Sequence, residues 1–419
     1  MLNSLRLTVF FVAGALILTS CSKQSKESSS MDSGTTATDA TPAKGTFAYD
    51  VAFLKQYHAN LVELHSEDLK SRLAILPDYQ GRVMTSTASG TTGASFGWIN
   101  YDLISSKKPV AHIHAFGGEE RFWLGPEGGQ FSIYFKKGIP FTYDNWQVPK
   151  EIDTEPFTLV SSTSSEARFE RDMHFENYSG TSLDLKVNRN IRLLSKVEID
   201  SLLGINITAG LEAVGFESEN ILTNTGKQAW TKKTGLLSVW ILSMMNASEQ
   251  TTVAIPYETG DEKKLGKIVT DDYFGKVPTE RLTVKDDLIL FKTDAKYRSK
   301  IGLSPKRAKP IITSYDAVNH VLTIATFTLS PKDEYVNGKW EIQNRPFSGD
   351  AINSYNDGPV NGAQMGNVYE IESSSPGAAL SPNKQLKHYH RTIHLKGSIE
   401  ELNVIAIRLL GVTVDQIKL

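Results

Sequence analysis

Apolar and polar residues alternate with a period of two along most of the chain beyond residue 46. The segments 169–175 and 183–194 place mostly apolar side chains at alternate positions, which predicts strands with one buried face. A mostly apolar run at Leu236–Met245 predicts a strand buried on both faces. Further strands are predicted at Val253–Tyr257, Leu288–Lys292, Ile311–Ser314 and His320–Leu329, with turns at 177–180, 224–226 and 337–338.

Helical patterns are few beside these strands. Val51–Tyr57 predicts a short helix, and a capping box at Ser398–Glu401 predicts a second helix. Many strands and few short helices favour an all-β fold, a large antiparallel β-sandwich, over alternating βαβ units. No change of composition divides residues 47–419, so that range is predicted to form a single domain. The polar segment Asn353–Pro359 is interpreted as a turn, with Ca²⁺ binding as the alternative.

The beginning of the chain has a different character and is excluded from the fold. Arg6 precedes an apolar run, Leu7–Leu18, and Leu18-Thr19-Ser20-Cys21 matches a bacterial lipobox. This predicts a signal peptide at residues 1–20 and lipidation of Cys21, with an uncleaved anchor or a plain secretory signal as alternatives. Residues 21–46 are rich in Ser and Thr and predict a flexible tether. We therefore expect a protein of the bacterial cell envelope, anchored to a membrane by its N-terminal lipid, on a leaflet that the sequence does not identify.

Composition narrows the classes of partner. Of the 419 residues, 40% are hydrophobic and 22% are charged, and the formal net charge is −2, so no field attracts nucleic acid. Cys21 is the only cysteine, so a disulfide within the chain is impossible and the core must supply the stability. The sequence indicates no cofactor.

The segment His112–Gln130 combines histidines, acids, aromatic residues and glycines in nineteen residues. Glycines allow tight turns or the close approach of a ligand, and aromatic and ionisable side chains together bind polar ligands that have an apolar face. The alternative is a glycine-rich connection whose polar side chains face water. The candidate binding residues of this segment are His112, His114, Gly117, Gly118, Glu119, Arg121, Trp123 and Glu127.

Two carboxylates in a later strand are candidates for acid–base chemistry. Glu370 and Glu372 share one face of a strand, and mutual repulsion with partial burial is expected to raise one pKa towards neutral pH. His388, His390 and His394 share a face of the following strand. A metal could bind there, but the spacing lacks a further fixed ligand, and a polar ladder on the surface is the alternative.

Three further residues suit a sugar. Arg82 follows a glycine at the start of a strand, where its guanidinium can bind paired oxygens, although it could equally be a surface residue. Asn220 and Trp240 pair an amide with an indole, a common combination for stacking a sugar ring and binding its hydroxyls. The alternative for residues 217–226 is a hairpin with its turn at Asn224–Gly226.

Taken together, these segments resemble the galactose mutarotase-like superfamily, which includes aldose 1-epimerases. The resemblance rests on Gln80-Gly81-Arg82-Val83, on Gly117-Gly118 followed by Trp123 and Pro126, and on Tyr369–Glu372 followed by Pro376. It spans roughly residues 60 to 397 and is strongest towards an uncharacterised group of Bacteroidetes-type lipoproteins. The resemblance implies a large β-sandwich that binds a carbohydrate in a cleft.

The resemblance also implies roles for individual residues. By position Glu372 matches the glutamate base, Glu370 is the second choice, and His114 corresponds to a histidine that contacts the sugar ring. Arg82 or Arg121 would hold sugar hydroxyls. The family's second histidine has no counterpart in residues 220–226, so His388 or His390 would have to replace it as proton donor. The leading hypothesis is an epimerase-like isomerase, and the alternatives are a non-catalytic glycan-binding lipoprotein and a structural envelope protein.

Overall fold

The alternating segments form antiparallel strands in the computed structural model, which describes residues 41–419. The predicted signal peptide, Cys21 and most of the predicted tether lie outside the described residues. The strands are β1 (Val62–His65), β2 (Arg72–Leu76), β3 (Arg82–Thr87), β4 (Arg121–Gly125), β5 (Thr158–Ser162), β6 (Glu166–Glu176), β7 (Ser182–Leu193), β8 (Glu212–Asn224), β9 (Ser238–Asn246), β10 (Thr251–Pro256), β11 (Leu282–Val284), β12 (Leu288–Lys292), β13 (Ser299–Leu303), β14 (Ile311–Asp316), β15 (Val321–Phe327), β16 (Ile352–Asn356), β17 (Val368–Ser374) and β18 (Gln385–Lys396). The helices are α1 (Phe47–Tyr57), α2 (Tyr101–Ser106), α3 (Lys150–Asp153), α4 (Lys196–Leu203), α5 (Glu262–Leu265), α6 (Ile399–Leu410) and α7 (Val414–Ile417).

Two large antiparallel sheets form the sandwich. The ten-stranded sheet has the order β11-β12-β10-β14-β15-β18-β8-β7-β6-β5, and the five-stranded sheet has the order β13-β16-β17-β9-β4. A third sheet consists of β1, β2 and β3. The core between the two large sheets is built from alternate residues of both, for example Ile371 and Ile301 of the five-stranded sheet with Val253 and Ile312 of the ten-stranded sheet. This arrangement confirms the predicted all-β, antiparallel sandwich with few short helices.

Helices cover only part of the outer surface of the ten-stranded sheet. Residues of α4, α6 and α7 pack against Leu290, Leu322 and Ile393 of β12, β15 and β18 in a second core. Helix α6 begins with the predicted capping box, in which Ser398 and Glu401 exchange hydrogen bonds with each other's backbone. On this surface, strands β6 and β7 carry solvent-exposed ion pairs instead, such as Lys186 with Glu170.

The core between the large sheets contains a belt of polar side chains. Arg189 and Glu120, both fully buried, form an ion pair at 2.6 Å, and Arg189 also donates to the Asn220 side chain at 2.6 Å. Ser373 of β17 bonds to two histidines of β18, at 2.9 Å from His388 Nε2 and 2.9 Å from His390 Nδ1. Because the partner groups come from different strands, these contacts fix how the sheets face each other.

Several boundaries differ from those that the sequence predicts. The predicted strand at Leu236–Met245 is β9, and its residues are buried on both faces as expected. The predicted helix at Val51–Tyr57 begins earlier, at Phe47, because Thr46 caps it. The interpretation of Asn353–Pro359 as a turn was wrong. Its first half belongs to β16, which pairs with β13 on one side and with β17 on the other. The side-chain amide of Asn353 donates a hydrogen bond to the Ile301 carbonyl oxygen of β13. Among residues 41–419, every helix is too short or too polar to cross a membrane.

Candidate functional site

The candidate site lies on the side of the five-stranded sheet that faces away from the ten-stranded sheet, here called the polar face. Strand alternation places Tyr369, Ile371 and Ser373 of β17 in the core between the sheets, so Glu370 and Glu372 must point to the opposite side. Strand pairing sets the neighbours of these two carboxylates. Opposite or diagonal to them on the polar face are Arg121, Trp240, Lys300, Asn353 and Tyr355.

Glu372 is fully buried and is held through one carboxylate oxygen. Its Oε2 accepts hydrogen bonds from Trp240 Nε1 at 2.9 Å and from Lys300 Nζ at 2.9 Å. Its Oε1 is buried and has no hydrogen-bond partner among the described residues. A carboxylate with one oxygen fixed and the other unoccupied is suited to accept a proton or a hydrogen bond from a ligand.

Glu370 is the second carboxylate of the polar face and is buried as well. Arg121 donates to its Oε1 at 2.5 Å. Burial raises the pKa of Glu370 to about 7, Arg121 opposes this change, and the negative charge of Glu372 adds to it. The sequence predicts a raised pKa for one of the two carboxyls, and in the structure that carboxyl is Glu370. It can therefore exchange a proton near neutral pH.

Lys300 joins the two ends of this cluster. Burial acts to lower its pKa, but Glu372 and Glu127 outweigh that effect, so its pKa lies above the ordinary value and the ammonium is charged at neutral pH. Its Nζ also lies 4.9 Å from the centre of the Trp240 ring and 5.7 Å from that of Tyr273. The Tyr273 hydroxyl in turn donates to Asp350 Oδ2 at 2.6 Å, so the loop before β11 covers this end of the polar face.

Two indoles form the other side of the cluster. Trp123 and Trp240 make an edge contact with their ring centres 5.6 Å apart, and the Arg121 guanidinium lies 5.0 Å from the Trp123 ring. Trp123 Nε1 is buried without a hydrogen-bond partner among residues 41–419. Glu127 follows β4 and is partly exposed; burial raises its pKa to about 7, Lys300 lowers the pKa and Glu372 raises it. Acids, cations and indoles therefore converge at one place.

Four of the predicted site residues lie in the core between the sheets instead. Glu119 binds His394 Nε2 and accepts from Ser86 Oγ at 2.7 Å. Asn220 is held by Arg189, and His388 and His390 by Ser373. Since the five-stranded sheet separates these groups from Glu370 and Glu372, the two sets do not face the same space.

Histidines of the segment 112–130 lie beside the polar face and are already engaged. His114 Nδ1 is 2.7 Å from Asp153 Oδ2, and its Nε2 accepts from the Val110 backbone at 3.0 Å. His112 Nδ1 is 2.7 Å from the Trp146 carbonyl oxygen. Neither histidine bonds to Glu370 or Glu372.

The Gly117–Gly118 pair packs tightly against two other segments of the same chain, at Trp98 and at Arg82. A Cβ on Gly117, which has φ of 93°, would lie 2.1 Å from the Trp98 carbonyl oxygen. A Cβ on Gly118 would lie 2.5 Å from Arg82 Cδ. Arg82 itself donates to the Gly117 carbonyl at 2.8 Å. The two glycines are therefore required by close packing, and they set the position of β4 and of Arg121.

Comparisons with known proteins place the chain in a family. A family model described as a family of unknown function (DUF6786) matches residues 45–419. The chain belongs to this family. No curated protein sequence matches it.

Several solved structures are similar to this chain at low sequence identity. One is a galactose mutarotase-like protein from Lactobacillus casei ATCC 334, at 7% identity and a TM-score of 0.48, covering 80% of this chain and 100% of that chain. Another is a galactose mutarotase related enzyme from Lactobacillus acidophilus, at 11% identity and a TM-score of 0.44, covering 80% and 97%. The Slr1438 protein from Synechocystis sp. PCC 6803 has 12% identity and a TM-score of 0.47, covering 81% and 96%.

In this member of the DUF6786 family, sequence reasoning missed part of the site. Lys300 lies in a short strand that was not predicted, although Ile301 and Leu303 alternate with Lys300 and Gly302 as in a strand. Trp146 and Trp340 lie in irregular segments 194 residues apart, and no local pattern indicates that their rings stack. Among residues 41–419 there is no group of three or more acidic, histidine or cysteine side chains placed to hold a metal ion.

Proposed function

We propose that the polar face binds a carbohydrate and that the protein is a mutarotase-like isomerase acting on a sugar. The observation that supports this proposal is the position of Glu372, whose Oε2 is fixed by Trp240 and Lys300 while its Oε1 is unoccupied among the described residues. Indole faces stack on the apolar side of a sugar ring, and carboxylates and guanidinium groups bind its hydroxyls. The Arg121 guanidinium, the Lys300 ammonium and the Asn353 amide lie around the two carboxyls and can bind hydroxyls in the same way.

Two carboxyls are enough for the chemistry of anomer interconversion. Glu372 takes the proton of the anomeric hydroxyl, and protonated Glu370 gives its proton to the ring oxygen. The bond between the anomeric carbon and the ring oxygen breaks, its electron pair stays on the ring oxygen, and the anomeric oxygen forms a carbonyl. After rotation, closure on the other face reverses both transfers and restores both carboxyls. Glu370 thus takes the part of the missing histidine, because its pKa of about 7 leaves it partly protonated at neutral pH.

Anomer exchange measured by NMR tests the proposal. Adding the full chain to a panel of common aldoses should accelerate interconversion of the anomers above the rate in buffer. The acceleration should decrease as the pH rises through about 7, because Glu370 then loses the proton that it donates. If no aldose in the panel exchanges faster with the protein than without it, the isomerase proposal is wrong.

Glycan binding without catalysis is the second candidate, and the ion pairs favour it. Each carboxyl of the pair already contacts a cation, Glu370 with Arg121 and Glu372 with Lys300, and neither contacts a histidine. Under this alternative a sugar binds the polar face with measurable affinity, and the exchange rate of its anomers stays at the buffer value.

The proposed location follows from Cys21, which lies outside the described residues. We propose that lipidation at this residue anchors the protein in the bacterial cell envelope. Replacing Cys21 by Ala should move the protein from the membrane fraction to the soluble fraction and abolish its labelling by a fatty-acid analogue. The control variant Ser20→Ala keeps a small residue before the cysteine, so its membrane fractionation and its labelling by the fatty-acid analogue should be unchanged. Equal labelling of the Cys21→Ala variant and the unmodified chain would contradict the lipid anchor.

A further inference from the structure

A continuous series of aromatic rings runs from the carboxylate cluster to the protein surface. Beyond the Trp123–Trp240 contact, the Trp123 ring lies 5.8 Å from Tyr134, and Tyr134 lies 6.3 Å from Trp146 with its ring parallel within 4°. Trp146 then stacks with Trp340 at 5.8 Å and with Tyr143 at 6.1 Å. We name the group of Tyr143, Trp146 and Trp340 the outer platform.

The outer platform is open to solvent, whereas the rings nearer to Glu372 are buried. Tyr143 is 56% exposed and Trp340 is partly buried, while Trp146 beneath them is 7% exposed. Large aromatic side chains on a surface are costly to leave uncovered, and stacked rings with an accessible face are typical of sites that bind apolar or amphipathic ligands. The Trp146 indole Nε1 is buried without a hydrogen-bond partner among the described residues.

The platform is held in position before any ligand arrives. Gln343 Nε2 donates to the carbonyl oxygens of Asn337 and Lys339, at 2.9 and 2.7 Å, and so closes the loop that carries Trp340. Gln130 Oε1 accepts from the Gln343 backbone at 3.0 Å and ties this loop to the segment after β4. On the other side, the His112 ring lies 4.5 Å from Tyr143. Rings that are ordered in advance bind without a large loss of side-chain entropy.

Glu127 links the outer platform to the carboxylate cluster. A Cβ on Gly128, the next residue, would lie 2.4 Å from the Lys339 carbonyl oxygen, so the segment that carries Glu127 packs against the loop that carries Trp340. Lys300 lowers the pKa of the Glu127 carboxyl and Glu372 raises it, which places this carboxyl near the carboxylate cluster. Glu127 is partly exposed, and a carboxylate accepts hydrogen bonds from the hydroxyls of a ligand. A single sugar ring over Glu370 and Glu372 leaves the outer platform uncovered, because two ring-to-ring contacts separate Trp123 from Trp146.

We infer that the outer platform is a second sugar-binding subsite and that the preferred ligand is a reducing oligosaccharide of two or more residues. Its reducing-terminal residue lies on the carboxylate cluster, its next residue stacks on Tyr143 and Trp340, and Glu127 binds hydroxyls between them. This inference rests on the proposed function for the position of the terminal residue. It adds the ligand class and the residues that select it.

The test compares chain lengths on one protein. The full chain is screened in solution against free, reducing mono- to tetrasaccharides of hexoses, deoxyhexoses, amino sugars and uronic acids. Calorimetry then measures the Kd of the strongest binder and of its terminal monosaccharide. We expect the oligosaccharide to bind about tenfold more tightly than its terminal monosaccharide, a difference of about 1.4 kcal/mol.

Variants then assign the gain to the platform. In the double variant Tyr143→Ala with Trp340→Ala, the oligosaccharide should bind no more tightly than its terminal monosaccharide. Tyr389, partly exposed on the outward face of the ten-stranded sheet, is the matched control, and Tyr389→Ala should retain the gain. The milder change Trp340→Leu, checked by its melting temperature, provides a second folded variant.

The outcomes separate this inference from the proposed function. If the monosaccharide binds as tightly as the oligosaccharide, or if the double variant keeps the gain, the outer subsite is wrong while sugar binding at the carboxylates stands. If no glycan of any length binds, both are wrong.

Discussion

Replacing Glu372 by Gln should reduce the rate of anomer exchange by about 10²–10⁴, the usual contribution of a positioned general base. The substitution keeps the size of the side chain and keeps an oxygen that accepts from Trp240 and Lys300. It removes the ability of the second oxygen position to take a proton, and it also removes the negative charge that helps to raise the pKa of Glu370. Both changes slow the reaction, and NMR exchange rates with the same aldose measure their combined effect once a melting temperature has shown that the variant is folded.

One control glutamate and a second variant of the pair make this result specific. Glu219→Gln changes a partly exposed glutamate on the outward face of β8, which binds Lys387 and Tyr389, and it should leave the rate unchanged. Glu370→Gln should slow exchange as well, because the amide cannot supply the proton for the ring oxygen. A Glu372→Gln variant as fast as the unmodified chain would show that Glu372 is not the base.

Acid should destabilise the fold through the two histidines that flank Ser373. Burial lowers the pKa of His388 to about 3, and burial followed by the nearby His388 lowers that of His390 well below its ordinary value. The unfolded chain therefore binds more protons than the folded chain once the pH falls below about 6.5. Each histidine then reduces the free energy of unfolding by about 1.4 kcal/mol per pH unit, or about 5 kcal/mol for both over two units.

Other groups act in the opposite direction over part of this range. Glu370 and Glu127 have pKa values raised to about 7, so their stabilising contribution is complete below about 4.5 and is lost as the pH rises through 7. From pH 7 to about 4.5 they offset the histidines. Below about 4.5 their contribution no longer changes, so the net loss of stability should be steepest there.

Matched substitutions isolate the contribution of the histidines. Gln at position 388 retains a polar group near the position of Nε2, and Asn at position 390 retains one near that of Nδ1, so both can still reach Ser373. Denaturant unfolding of His388→Gln with His390→Asn between pH 6 and 4 should show a slope with pH that is lower by about 1.4 kcal/mol per unit for each histidine. His174→Asn, at an exposed histidine, is the control. An unchanged slope in the double variant would mean that the buried histidines are not the cause.

Strand alternation allows much of the fold and part of the site to be predicted. The period-two pattern around Glu370 and Glu372 places both carboxylates on one face, as the structure has them. The same pattern correctly groups His388, His390 and His394. It does not indicate whether such a face turns towards solvent, a ligand or the core. The three histidines face the core because β18 lies in the middle of the ten-stranded sheet, opposite Ser373 and Glu119.

Contacts between distant segments could not be predicted from local pattern. Lys300 reaches Glu372 only because β16 lies between their strands, and pairing order is a property of the whole sheet. The stacking of Trp146 on Trp340 depends on two irregular segments, where side-chain direction follows no period. The glycines at 117 and 118 are conspicuous in the sequence, but their neighbours Trp98 and Arg82 belong to other elements.

Strand β17 presents Glu370 and Glu372 to one side and Ile371 and Ser373 to the other. A slip of this strand by a single residue would exchange the two sets, placing the carboxylates between the sheets and Ile371 and Ser373 on the polar face. The proposed reactive groups and the groups that pack the core therefore alternate along the same seven residues. Gradual drift of this segment over evolution should be rare, and insertions or deletions should instead accumulate in the exposed connections that flank it.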